Sequence, residues 1–231
     1  MTDNEIIKTG KSVVRIEAEA VANLEKSINK DFIKAVDTIY AATGRVVLTG
    51  MGKSGLVARK IVATLNSTGT PAIYLHPTDA LHGDLGMVRK EDVVIIISKS
   101  GSTDEISKLF PMFKRLGVKL IAMSGNPDSA LVKDSDIFLN ISVKEEACPH
   151  DLAPTSSTTA TVVMGDALSV ALLQKRGFTA EDFALLHPGG SLGKRLSLKI
   201  DEIMTKGEGV PIVKEDSSIK DIILEMTSKR L

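Results

Sequence analysis

Five short, nearly continuous apolar runs constrain the fold of this chain more than any other feature. Runs of this length, without alternation of apolar and polar residues, are typical of strands buried on both faces of a sheet. Segments with helical spacing, such as residues 56–65 and 104–116, lie between them. The alternation predicts an α/β fold in which a doubly wound, five-stranded parallel sheet is flanked by helices. The predicted strands are residues 46–48, 72–75, 93–97, 119–123 and 136–141.

Helices of a different kind precede the sheet. Residues 5–42 contain no proline, and their apolar residues recur at helical spacing on both sides of Asp31, which predicts two amphipathic helices. Because these helices are long for one small domain, we expect residues 1–43 to pack on the α/β domain and also on another subunit. The expected assembly is a homo-oligomer, a tetramer built as a dimer of dimers.

A shorter segment follows the sheet. The α/β domain, residues 44–187, is expected to end in a linker of residues 188–200. Residues 201–231 then predict a strand around 210–213 and a helix opened by Ser217. One strand and one helix cannot close a core of their own. This segment is therefore predicted to be the start of an incomplete second domain.

The composition excludes several classes of partner. The 231 residues carry 29 basic and 29 acidic side chains, so no net field attracts the chain to nucleic acid or to an anionic membrane. An aromatic content of 3% and the absence of Trp argue against a base-stacking surface. A single cysteine, Cys148, fits a reducing compartment, and the sequence indicates neither a signal peptide nor an apolar run of membrane-spanning length. We therefore expect a cytoplasmic protein with no nucleic-acid or membrane partner.

The first predicted strand runs into GMGKSG, residues 50–55, which has the G-x-G-x-x-G spacing of dinucleotide-binding loops. A dinucleotide site also needs an acidic residue at the end of the second strand, and there the nearest acid, Asp79, lies beyond Pro77. The Walker pattern fails because Val47 occupies the position of its first glycine. The glycines either only turn the strand into its helix, or they present Lys53 to a ligand.

The third predicted strand runs into SKSGST, residues 98–103, which places four hydroxyl groups beside Gly101 at the start of a helix. One or two such hydroxyls are ordinary N-caps, but four exceed what capping needs. Free amides and the helix dipole favour an anion at this position. Both loops leave neighbouring strands at their carboxyl ends, where ligands bind in open α/β sheets. We interpret the SKSGST loop as a phosphate cradle and Lys53 as a charge directed at the same ligand.

A further run of hydroxyls, residues 155–159, precedes a long helix predicted from about Thr158 to Lys175 and ended by Gly177. One of these hydroxyls is expected to cap the helix. The first two, Thr155 and Ser156, are candidates for additional hydrogen bonds to the ligand.

The loops TGMGKSG and SKSGST together resemble those of the sugar isomerase (SIS) fold, whose members bind phosphosugars. Longer segments over about residues 45–200 are similar to one branch of that family, D-arabinose 5-phosphate isomerase: STGTPAIYLHP, ALHGDLGM, EEACPHDLAPTSSTTATVVMGDALSVALL and RGFTAEDFALLHPGGSLGKRL. The tail, with EIMT, VPIV and SSIKDIILEM, is similar to the opening of the CBS pair that follows the isomerase domain in this family. Lys99 is a departure, because relatives usually carry a small or neutral polar residue at this position.

The resemblance implies an enzyme that interconverts D-ribulose 5-phosphate and D-arabinose 5-phosphate through an enediol, with no cofactor and no metal. In relatives this is the first step toward 3-deoxy-D-manno-octulosonate (Kdo), a sugar of lipopolysaccharide. The positions that match the family's catalytic residues are Lys53, His82, Glu105, Glu146 and His187. The positions expected to bind substrate are Gly52, Ser54, Ser98, Ser100, Ser102, Thr103, Thr155 and Ser156.

Four of the five catalytic assignments have a plainer alternative. Lys53 and His82 also fit as loop residues, Glu105 as a carboxylate favoured by the helix dipole, and His187 as the end of a short helix. The resemblance does not fix which glutamate is the base; we favour Glu146 and expect Glu105 to orient a partner. Two other functions stay open, a non-catalytic phosphosugar-binding regulator and a related hexulose phosphate isomerase.

Overall fold

The five apolar runs form one parallel sheet in the computed structural model, which describes residues 1–188 and 200–229. The strands are β1 (Val46–Gly50), β2 (Ala72–Leu75), β3 (Val93–Ser98), β4 (Lys119–Ser124) and β5 (Ile137–Asn140). Their order in the sheet is β2-β1-β3-β4-β5, and every pair of neighbours is parallel. The predicted α/β class and five-stranded parallel sheet are therefore confirmed.

Helices cover both faces of the sheet, as a doubly wound fold requires. The α-helices up to residue 186 are α1 (Asp3–Leu24), α2 (Lys30–Ala41), α3 (Lys53–Ser67), α4 (Pro77–Leu81), α5 (Asp104–Leu116), α6 (Ala130–Asp134), α7 (Ser156–Arg176) and α8 (Ala180–Leu186). Helices α2, α3 and α7 pack on the face that contains Leu48 and Ile95. Helices α4, α5 and α6 pack on the face that contains Val47 and Val94. Because successive side chains of a strand point to opposite faces, each strand needs apolar residues throughout, which explains the continuous runs.

Helix α7 is the central helix of one layer. Its buried residues Ala160, Met164, Leu168 and Leu172 all belong to the core. Among the described helices, α7 alone is long and apolar enough to span a membrane by length and composition. The sequence did not indicate it, because its apolar residues do not form a continuous run. Its packing in the core accounts for its apolar residues. The cytoplasmic location stays a prediction.

The two predicted N-terminal helices are present, and α1 is only partly covered. Helix α1 contacts α7, and Thr159 of α7 donates a hydrogen bond of 2.8 Å to Glu17 of α1. The buried residues of α1, Ala20 and Leu24, lie toward its C-terminal end. Toward its N-terminus, Ile6 and Val14 are exposed. The apolar stripe of α1 is therefore longer than the surface that covers it within one chain.

The chain divides into two compact units, Met1–Phe183 and Ala184–Leu231. The first unit holds both N-terminal helices and the whole sheet. Residues 189–199 of the predicted linker lie outside the described residues.

Two α-helices form in the described part of the second unit besides the end of α8. These are α9 (Ile200–Ile203) and α10 (Ile219–Ser228). The strand predicted around residues 210–213 is wrong, because within residues 200–229 this stretch pairs with no other strand and a strand needs a partner for its backbone hydrogen bonds. Helix α10 is capped by Ser218 instead of Ser217, since the Ser218 hydroxyl accepts from the Asp221 amide at 3.2 Å. The assignment of residues 201–231 to a CBS domain stays a prediction.

Gly55 determines how closely α3 approaches the end of β1. A Cβ atom on Gly55 would lie 2.5 Å from the carbonyl oxygen of Gly50 and 2.6 Å from the hydroxyl of Tyr74. That hydroxyl donates a 2.9 Å hydrogen bond to the same carbonyl, so neither atom can give way without loss of the contact. The last glycine of GMGKSG is thus explained by packing, whatever the loop binds.

We expect Gly55→Ala to lower the free energy of unfolding by about 1–3 kcal/mol, because an added methyl group in a closed contact forces the surrounding structure to shift. The matched control is Gly10→Ala in α1, where an added Cβ meets nothing within 4 Å. Helix propensity should make that change stabilising by roughly 0.5–1 kcal/mol. Urea denaturation followed by circular dichroism measures both variants. Equal effects of the two substitutions would contradict the packing argument.

Candidate active site

The loops after β1 and β3 meet where the sheet reverses its strand order. Gly50 at the end of β1 pairs with Ile97 near the end of β3, while β2 lies on the other side of β1. Open α/β sheets bind ligands in the crevice at such a switch point, outside the carboxyl ends of the strands. The GMGKSG and SKSGST loops therefore border the same crevice.

The helices that follow these two loops begin without side-chain caps. Gly52, the N-cap of α3, has no side chain to offer, and Thr103, the N-cap of α5, makes no side-chain hydrogen bond to its helix. By contrast, side chains cap four other helices, α1, α2, α6 and α10, through Thr2, Asn29, Ser129 and Ser218. Because the first amides of a helix need acceptors, α3 and α5 leave theirs available to an anion in the crevice.

The SKSGST loop is held in shape largely by its own hydroxyls. The amide of Gly101 donates to Ser98 Oγ at 3.1 Å, and the amide of Ser102 donates to Ser100 Oγ at 3.3 Å. The hydroxyls of Ser98 and Thr103 are 3.2 Å apart and share a hydrogen bond. Gly101 has a φ of 68°, and a Cβ there would lie 2.2 Å from the hydroxyl oxygen that caps α6. The loop is thus preformed, and its glycine is required by the turn.

Four further predicted residues lie on the elements that leave the carboxyl edge of the sheet. Lys53 is the exposed first residue of α3, and the adjacent Ser54 is half-buried. Glu105 is half-buried in the first turn of α5, and His82 is exposed at the end of α4. In the described part of the chain, no side-chain hydrogen bond or ion pair engages Lys53, His82 or Glu105. Their charged and titratable groups are therefore available to a ligand.

Glu146 follows β5, and its carboxylate is buried and fully hydrogen-bonded. Its side chain is 0% exposed. Oε2 accepts from the amide and hydroxyl of Thr155, at 2.8 and 3.2 Å, and from the amide of Ser157 at 3.1 Å. Oε1 accepts from the Lys99 ammonium at 2.6 Å and from the Ser157 hydroxyl. Because Thr155 and Ser157 begin α7, this carboxylate caps the helix from outside it.

The donors around Glu146 keep it ionised. Burial alone would raise the pKa of Glu146, but hydrogen bonds from Lys99, Ser157 and Thr155 outweigh burial and lower the pKa to about 2. A carboxylate with so low a pKa is a weak base at neutral pH. Withdrawal of one of its donors would strengthen it as a base.

The turn that precedes α7 fixes the backbone of Glu146. Two non-glycine residues, His150 and Asp151, have positive φ values of 65° and 57°, a conformation that costs roughly 1–2 kcal/mol per residue. Asp151 Oδ1 accepts a 2.7 Å hydrogen bond from the Glu146 amide. The strained turn therefore places the Asp151 carboxylate where it holds the backbone of Glu146.

The capping of α7 differs from the sequence prediction. Thr155 is the N-cap, but its hydroxyl makes no hydrogen bond to the helix; it accepts from the Ala147 amide at 2.8 Å and donates to Glu146. Ser156 is fully buried, and its hydroxyl has no hydrogen-bond partner among the described residues. The prediction of a hydroxyl cap is therefore wrong, because a charged acceptor distant in sequence is the stronger one. The expected ligand contacts of Thr155 and Ser156 stay predictions.

His187 belongs to the second compact unit. It directly follows α8, is half-buried, and its amide donates a 3.1 Å hydrogen bond to the Ala184 carbonyl. Its catalytic role stays a prediction.

His76 and His82 are the imidazoles on either side of α4. Nδ1 of His76 lies 3.9 Å from Asp79 Oδ2 and has no hydrogen-bond partner in the described structure. Within residues 1–188 and 200–229, no three His, Cys, Asp or Glu side chains come close enough together to hold a metal ion.

Two residues of the Glu146 network are not predicted by sequence reasoning. The sequence marks Lys99 only as a departure from relatives and Ser157 only as a member of a hydroxyl run, yet both donate to Glu146. A weak signal was present for Lys99 and Glu146, because both follow the ends of apolar runs and parallel strands end at one edge of the sheet. Which side chains meet across that edge depends on loop conformations that spacing does not fix.

Comparison with known proteins gives a consistent assignment. The SIS domain family matches residues 38–171. The chain is 53% identical over 227 residues to a Pseudomonas aeruginosa protein named arabinose 5-phosphate isomerase KdsD, which covers 98% of this chain and 70% of that protein. It is also 53% identical over 224 residues to the protein of the same name from Escherichia coli K12, which covers 97% of this chain and 68% of that protein.

A solved structure agrees with these relatives. An Escherichia coli CFT073 protein in complex with arabinose 5-phosphate superposes with a TM-score of 0.78 and 42% identity, over 81% of this chain and 100% of that one. The region that matches the SIS domain family, residues 38–171, contains the sheet, both crevice loops and the residues that contact Glu146. The chain belongs to the arabinose 5-phosphate isomerase family of SIS-domain proteins.

Proposed function

We propose that the protein interconverts D-arabinose 5-phosphate and D-ribulose 5-phosphate. The observation that carries this proposal is the 53% identity, over 98% of the chain, to a relative named arabinose 5-phosphate isomerase. The similar structure in complex with arabinose 5-phosphate supports the same ligand class. The uncapped starts of α3 and α5 supply an anion site that suits a sugar phosphate.

The reaction moves a proton between two carbons and needs no external oxidant. A base removes the proton from C2 of the open-chain aldose, the C–H electron pair forms the C1=C2 bond of the enediol, and the C1 carbonyl oxygen takes up a proton. C1 is then protonated while the C2 hydroxyl loses its proton, which leaves the carbonyl of the ketose. The site must supply a base near C1 and C2 and a cation or donor at the developing oxyanion.

The residues that match the family's catalytic positions have the chemical character that these steps require. We assign the substrate phosphate to the SKSGST loop and the first amides of α5, and the oxyanion to Lys53. Glu146 or Glu105 is the base; Glu146 is ionised but weakened by its donors, whereas Glu105 has no competing side-chain partner among the described residues. His82 is assigned to proton exchange with the ring or hydroxyl oxygens, because an imidazole can both accept and donate a proton. The family resemblance suggests the same role for His187, which belongs to the second unit.

Assay of purified protein with two ketose phosphates tests the reaction. We expect D-ribulose 5-phosphate to be converted to its aldose and a hexulose 6-phosphate to be left unchanged. Turnover of the hexulose phosphate would instead support the related isomerase. Tight binding of a sugar phosphate without turnover of either substrate would support the regulatory alternative.

Substitutions at Glu146 and Lys53 separate the base from the oxyanion site. Glu146→Gln keeps the side-chain shape but removes the base, so exchange of the C2 proton of arabinose 5-phosphate with deuterated water should stop while substrate still binds. Lys53→Ala should lower kcat by about 100-fold or more, since a cation at developing charge acts in the transition state. NMR of the sugar and steady-state kinetics provide these measurements.

The matched variants for this test are Glu105→Gln and Lys108→Ala, the latter at an exposed lysine of α5. Deuterium that enters C2 at the wild-type rate in Glu146→Gln would transfer the base role to Glu105 or His82. A loss confined to KM in Lys53→Ala would make Lys53 a phosphate ligand only.

The exposed apolar stripe of α1 supports the proposal of a homo-oligomer, a dimer of dimers. A second copy of the chain related by a two-fold axis would bury Ile6 and Val14 against its own α1. We expect the double substitution Ile6→Glu and Val14→Glu to reduce the assembly mass measured by light scattering. The control Arg15→Glu, at an exposed residue of α1 that does not share a face with Ile6 or Val14, should leave the mass unchanged. A wild-type monomer at micromolar concentration that is fully active would contradict this proposal.

A further inference from the structure

Lys99 connects the phosphate loop to the buried carboxylate. It lies between Ser98 and Ser100 in the loop, and its ammonium is 2.6 Å from Oε1 of Glu146. The Lys99 side chain is 45% exposed, whereas that of Glu146 is 0% exposed. The ammonium of Lys99 is thus paired with the Glu146 carboxylate, while the backbone of Lys99 forms part of the proposed anion site.

We propose that Lys99 moves from Glu146 to the substrate phosphate when the phosphate enters the SKSGST loop, and that this exchange releases Glu146 to act as the base. This inference rests on the function proposed above. It gives Lys99 two roles, as a phosphate ligand and as a residue that positions charge for the proton transfer.

The backbone of Lys99 is fixed, and its side chain is free to turn. The Lys99 carbonyl accepts from the Gly125 amide at 3.1 Å and from the Ser124 hydroxyl at 3.4 Å, so the loop after β4 holds its Cα in place. A Cβ on Gly125 would lie 3.6 Å from Cγ of Lys99, which shows that the lysine stem passes directly over this glycine. A flexible four-carbon stem on an anchored Cα lets the ammonium change partners with little motion of the backbone.

Glu146 keeps its position without Lys99. The amides of Thr155 and Ser157 hold Oε2, and the Ser157 hydroxyl remains on Oε1. These donors belong to the start of α7, which the core fixes. Removal of the ammonium therefore changes the charge beside the carboxylate more than it changes the carboxylate's place.

The other charges near Glu146 do not replace Lys99. A groove beside Glu146 lies between α1 and the turn before α7, and its titratable lining residues are Glu5, Lys8, Glu145, Cys148, His150 and Asp151. Of these, only Asp151 has a described hydrogen bond with Glu146, in which the Asp151 carboxylate accepts from the Glu146 backbone amide. Lys99 is thus the only ammonium within salt-bridge distance of the carboxylate among the described residues.

The exchange couples phosphate binding to proton affinity. The ammonium is one of the donors that hold the pKa of Glu146 down to about 2, so its departure raises that pKa toward the ordinary value of a glutamate. By linkage, a proton on Glu146 frees Lys99 and strengthens phosphate binding. The pKa of Glu146 is then raised only in the complex with the sugar phosphate, where the proton on C2 of the substrate is present to be removed.

Two readouts that do not depend on turnover test the proposal, with inorganic phosphate as the probe. Calorimetry gives the dissociation constant of phosphate for the wild type, Lys99→Met, Lys99→Arg and the control Lys108→Met. Carboxyl NMR with ¹³C-labelled glutamate, assigned by comparison with Glu146→Gln, gives the titration of Glu146 with and without phosphate. Both use the full chain over the pH range in which it stays folded.

We expect Lys99→Met to weaken phosphate binding about tenfold, because a charge-assisted hydrogen bond is lost, and Lys99→Arg and Lys108→Met to stay within about twofold of wild type. In the wild type, phosphate should move the Glu146 titration upward by about one pH unit or more. In Lys99→Met the titration should already lie at the higher pH, and phosphate should add little.

Wild-type phosphate affinity in Lys99→Met, or a Glu146 titration in the wild type that phosphate leaves unchanged, would overturn the proposal. So would a response to phosphate as large in Lys99→Met as in the wild type. If the wild type turns over neither ketose phosphate yet the two readouts behave as expected, the isomerase function fails while the ion-pair exchange stands.

Discussion

Burial of the parallel sheet on both faces is the constraint on which the rest of the structure depends. Parallel neighbours need a crossover helix between them, so all five strands end at one edge, and the order β2-β1-β3-β4-β5 places the reversal between β1 and β3. The residues that turn these two strands into their helices therefore border one crevice. The backbone pairing of β1 with β3 brings Lys53 and the hydroxyls of the SKSGST loop to the same crevice. No direct contact between these side chains is needed to hold them there.

The same constraint explains what could be predicted from the sequence. Continuous apolar runs predict strands that are covered on both faces, and all five predicted strands are present. The apolar run at residues 210–213 is short and has no partner strand, and no strand forms there in the described structure. Loops with several glycines or hydroxyls after a strand were also recognisable. The cap of α7 was not, because Glu146 reaches it through a turn with two residues at positive φ, and no local pattern encodes that path.

A buried carboxylate is costly unless each oxygen is hydrogen-bonded, and Glu146 meets this condition only through three separate segments. The turn before α7 fixes its backbone, the start of α7 supplies amides, and the loop after β3 supplies an ammonium. The arrangement that makes Glu146 a good helix cap therefore also makes it a weak base. Stability requires that the carboxylate oxygens of Glu146 accept several hydrogen bonds, whereas proton transfer requires that they be free to take up a proton. If a ligand can withdraw one donor, the same carboxylate can meet both requirements.

Helix capping also determines where along the sheet edge an anion can bind. Five helices follow the strands. Ser129 caps α6 and Glu146 caps α7. Helix α4 has no side-chain cap, but Pro77 leaves it with one amide fewer in its first turn. The remaining two, α3 and α5, begin at a glycine and at a threonine that makes no capping hydrogen bond. Since α3 and α5 follow β1 and β3, the unsatisfied amides are concentrated at the switch point. The crevice between the loops after β1 and β3 is therefore the place along this edge where two uncapped helix starts, those of α3 and α5, favour a phosphate.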